Sequence, residues 1–271
     1  MSKPLGQSSA ATEPGAYSHR NVMFRGSWAR MGKTQVHALI SSGCQQSAIP
    51  VVLVHGLGLS HRYMMPTAER LALTHPVYVP DLPGFGLSEH PDQVLTVPGL
   101  ADALLGWMDA IALRRSAFLG NSFGCQIIID LASRHPGRVI KGVLQGPTTP
   151  ATERTWLRQF VRWRQNAPYN PKSLGAVTWP EYRMSGYRRV LQTFHYSLRD
   201  RPEDKAPAVQ APMLVVRGEL DPICRADWAD DLWRLLPNGR LVVIPKQAHT
   251  LVYTASHDLT GVTEPFLREG T

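Results

Sequence analysis

Hydrophobic and polar positions along this chain alternate between two patterns. Short continuous apolar runs recur at 50–54, 76–80, 116–119, 139–145, 212–217 and 240–244. Runs this short, bounded by Gly, Pro or Asp, predict strands, and 50–54, 76–80 and 116–119 read as buried ones, with 50–54 typical of a strand covered on both faces. Between them, 62–73, 98–113, 125–132, 225–236 and 256–268 read as helices. In 98–113, for example, Leu100, Leu104, Trp107, Met108 and Ile111 share one face. Ahead of these, 22–30 and 34–40 are split by Met31-Gly32-Lys33 and predict a β-hairpin. Strands alternating with helices predict an α/β fold, a mostly parallel central sheet with helices on both faces.

The alternation stops at Gly146-Pro147. From 147 to 208 no β-branched run occurs, and Trp, Tyr, Arg, Pro and Gln become common. Within 152–165, Trp156, Phe160 and Trp163 stand at helical spacing with Leu157 and Val161 beside them. This span reads as a helical cap inserted into a core made of 21–146 and 209–271. Residues 1–20, rich in Ser, Ala, Gly and Pro, read as a flexible leader without the apolar centre of a secretory signal. No apolar run reaches the ~18–20 residues that span a bilayer.

Charge and cysteine content narrow the class. The net charge is +8, and 147–205 holds eleven Lys/Arg against five Asp/Glu. The arginines are spread out, with no basic tail or nucleic-acid motif, so a soluble basic enzyme is expected and a nucleic-acid partner is not. Cys44, Cys125 and Cys224 are scattered and suggest neither a disulfide framework nor a zinc site, which makes the cytoplasm the expected location. No residue pattern calls for a metal or organic cofactor.

One stretch carries candidate chemistry. Gly120-Asn121-Ser122-Phe123-Gly124 lies between a strand and a helix, and small-x-Ser-x-small there marks a sharp turn that presents a nucleophile. A serine hydroxyl needs an imidazole to take its proton and a carboxylate to orient that imidazole. Sites in such sheets form at the carboxyl ends of the strands. Asp221, in Gly218-Glu219-Leu220-Asp221-Pro222, and His249 each follow a strand run and complete the order Ser, Asp, His. Asp221 before Pro222 is equally a turn signal. The preceding strand ends in Gln145-Gly146-Pro147-Thr148, with no competing carboxylate, and Asp227 and Asp230 fall on a helix. His135, His195 and His257 lack such placement. An oxyanion hole needs two N–H groups: Phe123, after the nucleophile, and Leu57, in the loop after 51–54. His55 is expected to order that loop rather than act as base.

His55-Gly56-Leu57-Gly58, Asp81-Leu82-Pro83-Gly84-Phe85-Gly86-Leu87-Ser88, the Ser122 turn, Gly218–Pro222 and Gln247-Ala248-His249 together resemble the α/β-hydrolase superfamily over about residues 22 to 268. The resemblance implies the α/β-hydrolase fold with a cap between strands six and seven. It is closest to the capped subgroup of carboxylesterases, lactonases and hydrolases of meta-ring-cleavage products. Two positions depart from the pattern: Cys125, where many relatives carry glycine, and Gln247-Ala248, in place of a glycine-rich approach to the histidine. Ser122 at the turn argues against dehalogenase and epoxide hydrolase activity, which place an aspartate there.

Three functions follow. The first is a serine hydrolase of a carboxylic ester, lactone or thioester, acting through an acyl-enzyme on Ser122. The second is a C–C bond hydrolase or lyase with the same triad, in which Arg162 beside Trp163, or Arg189, would hold a substrate carboxylate. Against this, Arg154, Arg158 and Arg162 recur every four residues, which suits a solvated helix face. The third is a hydrolase-fold binding protein without turnover. The cap aromatics Trp156, Phe160, Trp163, Tyr169, Trp179, Tyr182 and Tyr187 suggest a small-molecule substrate with an apolar or aromatic acyl group.

Overall fold

In a computed structural model, which describes residues 17–19, 22–42 and 48–270, the apolar runs become strands of one nine-stranded sheet. Its order is β1-β2-β3-β5-β4-β6-β7-β8-β9. The hairpin forms as β2 (Val22–Met31) and β3 (Thr34–Ser42), antiparallel along their whole length. β1 (Tyr17–His19) pairs antiparallel outside β2. These three residues fall inside the expected leader, so that reading is corrected for them; the rest of 1–20, and Cys44, lie outside the described residues. β3 pairs antiparallel with β5 (Val77–Pro80). From there β4 (Val51–Val54), β6 (Ser116–Asn121), β7 (Val139–Gln145), β8 (Met213–Gly218) and β9 (Gly239–Ile244) run parallel.

Burial explains the run-like patterning. β4, β6 and β8 are buried at every position, because both faces of the sheet are covered. Helices α2 (Val97–Ala110), α3 (Phe123–Arg134) and α8 (Ala226–Leu235) pack into one apolar cluster. Helices α1 (His61–Leu71), α9 (Leu251–Thr254) and α10 (Ser256–Arg268) pack into the other. Each fully buried Val, Leu, Ile or Phe contributes about 1.5–3 kcal/mol relative to exposure, so these two layers hold the strand ends rigidly in place.

With β1 set aside, β7 and β8 are the sixth and seventh strands, and the chain leaves the sheet between them. It forms α4 (Trp156–Asn166), α5 (Lys172–Ser185), α6 (Tyr187–Arg199) and the short α7 (Pro202–Lys205). Thr155 caps α4 by accepting from the Arg158 N–H, which supplies a partner to one of the free N–H groups at the helix start. The insertion is tied down by polar contacts. Arg62 of α1 reaches Glu181 of α5 at 2.6 Å. Gln126 of α3 exchanges hydrogen bonds with Ser197 of α6, at 3.0 Å and 2.7 Å. Lys205 pairs with Asp130 at 2.9 Å. Among the described residues no helix is long and apolar enough to cross a membrane.

Candidate active site

β6 ends at Asn121 and α3 begins at Phe123, leaving Ser122 alone at the turn with φ 55° and ψ −116°. Such a backbone costs about 1–3 kcal/mol and persists only where its surroundings enforce it. Here the Ser122 N–H donates to the Gln145 carbonyl at 2.9 Å, and its own carbonyl accepts from Cys125 at 3.0 Å. Gly124 is required by close approach: a Cβ there would lie 2.4 Å from the Val54 carbonyl oxygen. Cys125 sits fully buried, its thiol directed at the Gly120 and Gln145 carbonyls. Burial pushes that thiol's pKa well up, which removes thiolate chemistry.

Asp221 and His249 come together from the ends of two adjacent strands. Asp221 Oδ1 accepts from the Ile223 and Cys224 N–H groups at 2.8 and 2.9 Å. Its Oδ2 lies 2.8 Å from His249 Nδ1. An ionised carboxylate only accepts, so Nδ1 carries the proton and the neutral ring's Nε2 presents a lone pair. That Nε2 is buried without a hydrogen-bond partner among the described residues. Arg217 braces the acid loop through the Cys224 and Glu219 carbonyls, both at 3.1 Å. At the end of β7, Gly146 has φ 60°, and a Cβ there would come within 2.9 Å of the His249 ring. The absence of a carboxylate at that strand end now has a counterpart: Gln145 Nε2 donates to the His249 carbonyl at 2.9 Å.

His55 uses both ring nitrogens structurally. Nδ1 donates to the Gly56 carbonyl at 2.8 Å, and Nε2 accepts from the Leu82 N–H at 3.0 Å. Burial lowers its pKa further, so the ring is held neutral and has no lone pair to offer. Below this loop Asp81 gathers donors: His37 Nδ1 at 3.0 Å, His61 Nδ1 at 2.9 Å, His61 N–H at 2.7 Å and Leu87 N–H at 3.0 Å. These three buried side chains have the types and spacing of metal ligands. Their facing atoms are already hydrogen-bonded to one another, and no orphaned atom there asks for an ion. Nothing in the sequence brought His37 to this cluster, since it comes from β3 and its partners from a helix and a loop.

Ser122, His249, Leu57 and Phe123 line one cavity of about 630 Å³. Phe123 is the first residue of α3, where N–H groups lack intrahelical partners and the helix dipole favours negative charge. The insertion supplies the opposite wall through Trp156, Phe160, Trp163, Trp179 and Tyr182. Tyr169 and Tyr187 do not line it. Arg162 is not in the lining either: its guanidinium lies 2.7 Å from Glu153, with Gln165 as a further partner at 3.1 Å. The side chain expected to bind substrate thus lies beside Glu153 and not in the cavity wall. Arg189 is also outside, donating to the Pro91 carbonyl at 2.8 Å. Sequence reasoning missed Asn166 and Asn170, which line the cavity and hydrogen-bond to the histidine loop. It also missed Tyr63, whose hydroxyl donates to Asn121. No periodicity marks these residues, because each acts across a long sequence separation.

Comparison with known proteins identifies the family of the chain. The chain is 34% identical over 123 residues to 2-hydroxymuconate semialdehyde hydrolase of Pseudomonas sp. (strain CF600), a match over 41% of this chain and 42% of that protein. The chain thus spans about two fifths of the length of such curated relatives. Its fold is similar to the enol-lactonase from Burkholderia xenovorans LB400, with TM-score 0.77 and 20% identity over 90% of this chain and all of that one. It is also similar to 2-hydroxy-6-oxo-6-phenylhexa-2,4-dienoate hydrolase from Rhodococcus sp. strain RHA1, with TM-score 0.72 and 21% identity over 91% and 99% of the two chains. A family model, described as "Alpha/beta hydrolase family", matches residues 51–261, which takes in the Ser122 turn, Asp221 and His249. The chain belongs to the alpha/beta hydrolase family.

Proposed function

We propose that the protein is a serine hydrolase of carboxylic esters, lactones or thioesters. The observation that carries this reading is the 2.8 Å contact of His249 Nδ1 with Asp221, which leaves Nε2 unpartnered in the cavity that Ser122 also lines. Ser122 Oγ attacks the substrate carbonyl carbon while its proton passes to His249 Nε2. Asp221 holds the imidazole and stabilises its charged form. The carbonyl oxygen takes the negative charge and accepts from the Phe123 and Leu57 N–H groups, one such donor being worth ~10²–10³ in rate. Collapse expels the alcohol or thiol, which takes the proton from His249. Water then repeats the sequence on the acyl-enzyme, releasing the acid and restoring Ser122. In this reading 21–146 and 209–271 form the catalytic core, and 147–208 is a cap that selects the acyl group.

A fluorophosphonate probe tests the nucleophile. Labelling of the folded protein, lost in Ser122→Ala, is expected; no labelling would remove every triad reading. A panel of p-nitrophenyl acyl esters then tests the ester class.

C–C bond hydrolysis is a second reading, favoured by the names of the semialdehyde and dienoate hydrolases to which the chain is similar. It uses the same three side chains. Arg162, paired with Glu153 and outside the cavity lining, gives this reading no support as a carboxylate anchor. Loss of colour from a dienoate ring-cleavage product would support it, and an inert dienoate beside active ester turnover would eliminate it.

A further inference from the structure

The His249 peptide lies in the loop between β9 and α9, and side chains hold it on both sides. On the core side its carbonyl accepts from Gln145 Nε2 at 2.9 Å and from Asn121 Nδ2 at 3.4 Å. On the other side its N–H donates to Asn166 Oδ1 at 3.3 Å, and Asn166 is the last residue of α4. The next residue repeats the contact: the Thr250 hydroxyl donates to Asn170 Oδ1 at 3.0 Å. Asn166 Nδ2 also donates to Asn170 Oδ1, at 3.4 Å, which fixes the orientation of both amides. Asn166 is 2% exposed, and Gln145 is fully buried. Both bonds to His249, from Gln145 and to Asn166, are buried, so losing one leaves a buried backbone group without its protein partner.

We propose that Asn166 is a positioning residue for His249: the inserted helix α4 sets where the imidazole stands, not only what enters the cavity. The proposal rests on the triad reading above. The physical argument concerns the ring's tether. The Asp221 contact fixes Nδ1, but the direction of Nε2 also depends on the Cα to which the ring is attached. That Cα lies between two amide-bonded groups, one contributed by the core and one by the insertion. Removing the insertion's side lets the peptide tilt about the Gln145 bond, and a displacement of order 1 Å at a catalytic group is enough to cost ~10²-fold. Helix α4 also presents Trp156, Phe160 and Trp163 to the cavity, so one helix both lines the cavity and bonds the histidine's backbone.

The test compares Asn166→Ala with Asn166→Asp, which keeps an acceptor at the same place. Two quantities are read: the rate of Ser122 labelling by a small fluorophosphonate, and kcat and KM for a p-nitrophenyl ester. The expected result for Asn166→Ala is a loss of about 10- to 100-fold in both labelling rate and kcat, with KM within about threefold of the parent. Asn166→Asp should recover most of that loss. Asn166→Leu, similar in size and lacking an acceptor, gives the same comparison if the alanine variant does not fold. A labelling rate unchanged in Asn166→Ala, with KM alone raised, would make Asn166 a substrate contact and overturn the proposal. So would an aspartate variant as slow as alanine. Failure of the unaltered protein to label overturns the triad reading, and the positioning role with it; normal labelling with an insensitive Asn166 overturns the positioning role alone.

Discussion

Ser122 combines a reactive hydroxyl with a backbone conformation that a side chain disfavours, φ 55° and ψ −116°. Replacing it by glycine relieves about 1–3 kcal/mol of strain and adds roughly 0.5–1 kcal/mol of unfolded-state entropy cost. A net gain near 1 kcal/mol corresponds to a rise of about 2–4 °C in Tm for a chain of this size. Ser122→Gly should therefore melt higher than the parent and no longer label with a fluorophosphonate probe. Ser122→Ala should lose activity without that gain, and equal melting of the two would show the turn to be unstrained. Asp81 illustrates the opposite case, a polar group whose surroundings favour its charge. Burial alone would raise its pKa, but the hydrogen bonds from His37 and His61 outweigh burial and hold the carboxyl well below the usual carboxylate range. A folded pKa below the unfolded one stabilises the protein above the unfolded value near 3.9 and loses that contribution as pH falls towards the folded value. Asp81→Asn should be less stable at pH 7 by about 1.5–3 kcal/mol, since hydrogen bonds to a charged acceptor are lost and its donors face an amide with a single acceptor oxygen. Its stability should also fall less steeply than the parent's below about pH 4. Denaturant melts at pH 7 and pH 3.5 read both effects, and parallel pH curves would remove Asp81 from the account.

Strands and helices place the site, and the ends of three neighbouring strands must fit closely. Gly146, at the end of β7, has φ 60° and faces the His249 ring. Gly146→Ala adds both backbone strain and a methyl group 2.9 Å from that ring. The expected outcome is a loss of activity of about 10²-fold or more in protein that still folds; undiminished turnover would show that the ring can move aside freely. The strands themselves were legible because covered strands carry apolar runs, as β4 does throughout and β6 and β8 do at 117–119 and 213–216. Ser122, Asp221 and His249 were legible as residues because each lies within a few residues after a strand run, β6, β8 and β9 respectively. β1 was not, since Tyr17–His19 pairs through its backbone and carries no apolar run. Spacing on α4 identified the arginine row but not its partner, because Glu153 precedes the helix and its approach to Arg162 depends on a turn the periodicity does not describe. Asn166 and Asn170 were hidden for a related reason. Their targets lie some 80 residues away, on a loop whose crossing with α4 is a property of the tertiary fold.

At the scale of the whole molecule, the surplus of positive charge and the cavity are separate features. All five acidic residues of 147–205 are paired: Glu153 with Arg162, Glu181 with Arg62, Asp200 with Lys205, Glu203 with Arg154, and Asp204 with Arg201. The eleven basic residues of this span outnumber them by six, yet among the described residues Lys172 is the one Lys or Arg that lines the cavity, and it is exposed. The basic character of the chain thus lies on its surface, while the wall facing Ser122 is aromatic and amide-lined. Moving a carboxylate into such surroundings without a buried partner costs several kcal/mol, and each 1.4 kcal/mol is about tenfold in rate. An uncharged p-nitrophenyl ester should therefore exceed one of equal length bearing a terminal carboxylate by at least about tenfold in kcat/KM. The comparison belongs at low ionic strength, where the surface charge would favour the anion most strongly through faster encounter. Preference for the neutral ester under those conditions would mean that the cavity, rather than the molecule's overall field, selects the substrate. Equal or faster turnover of the anionic ester, lost in Lys172→Gln, would instead make Lys172 a carboxylate anchor and return anionic substrates to consideration.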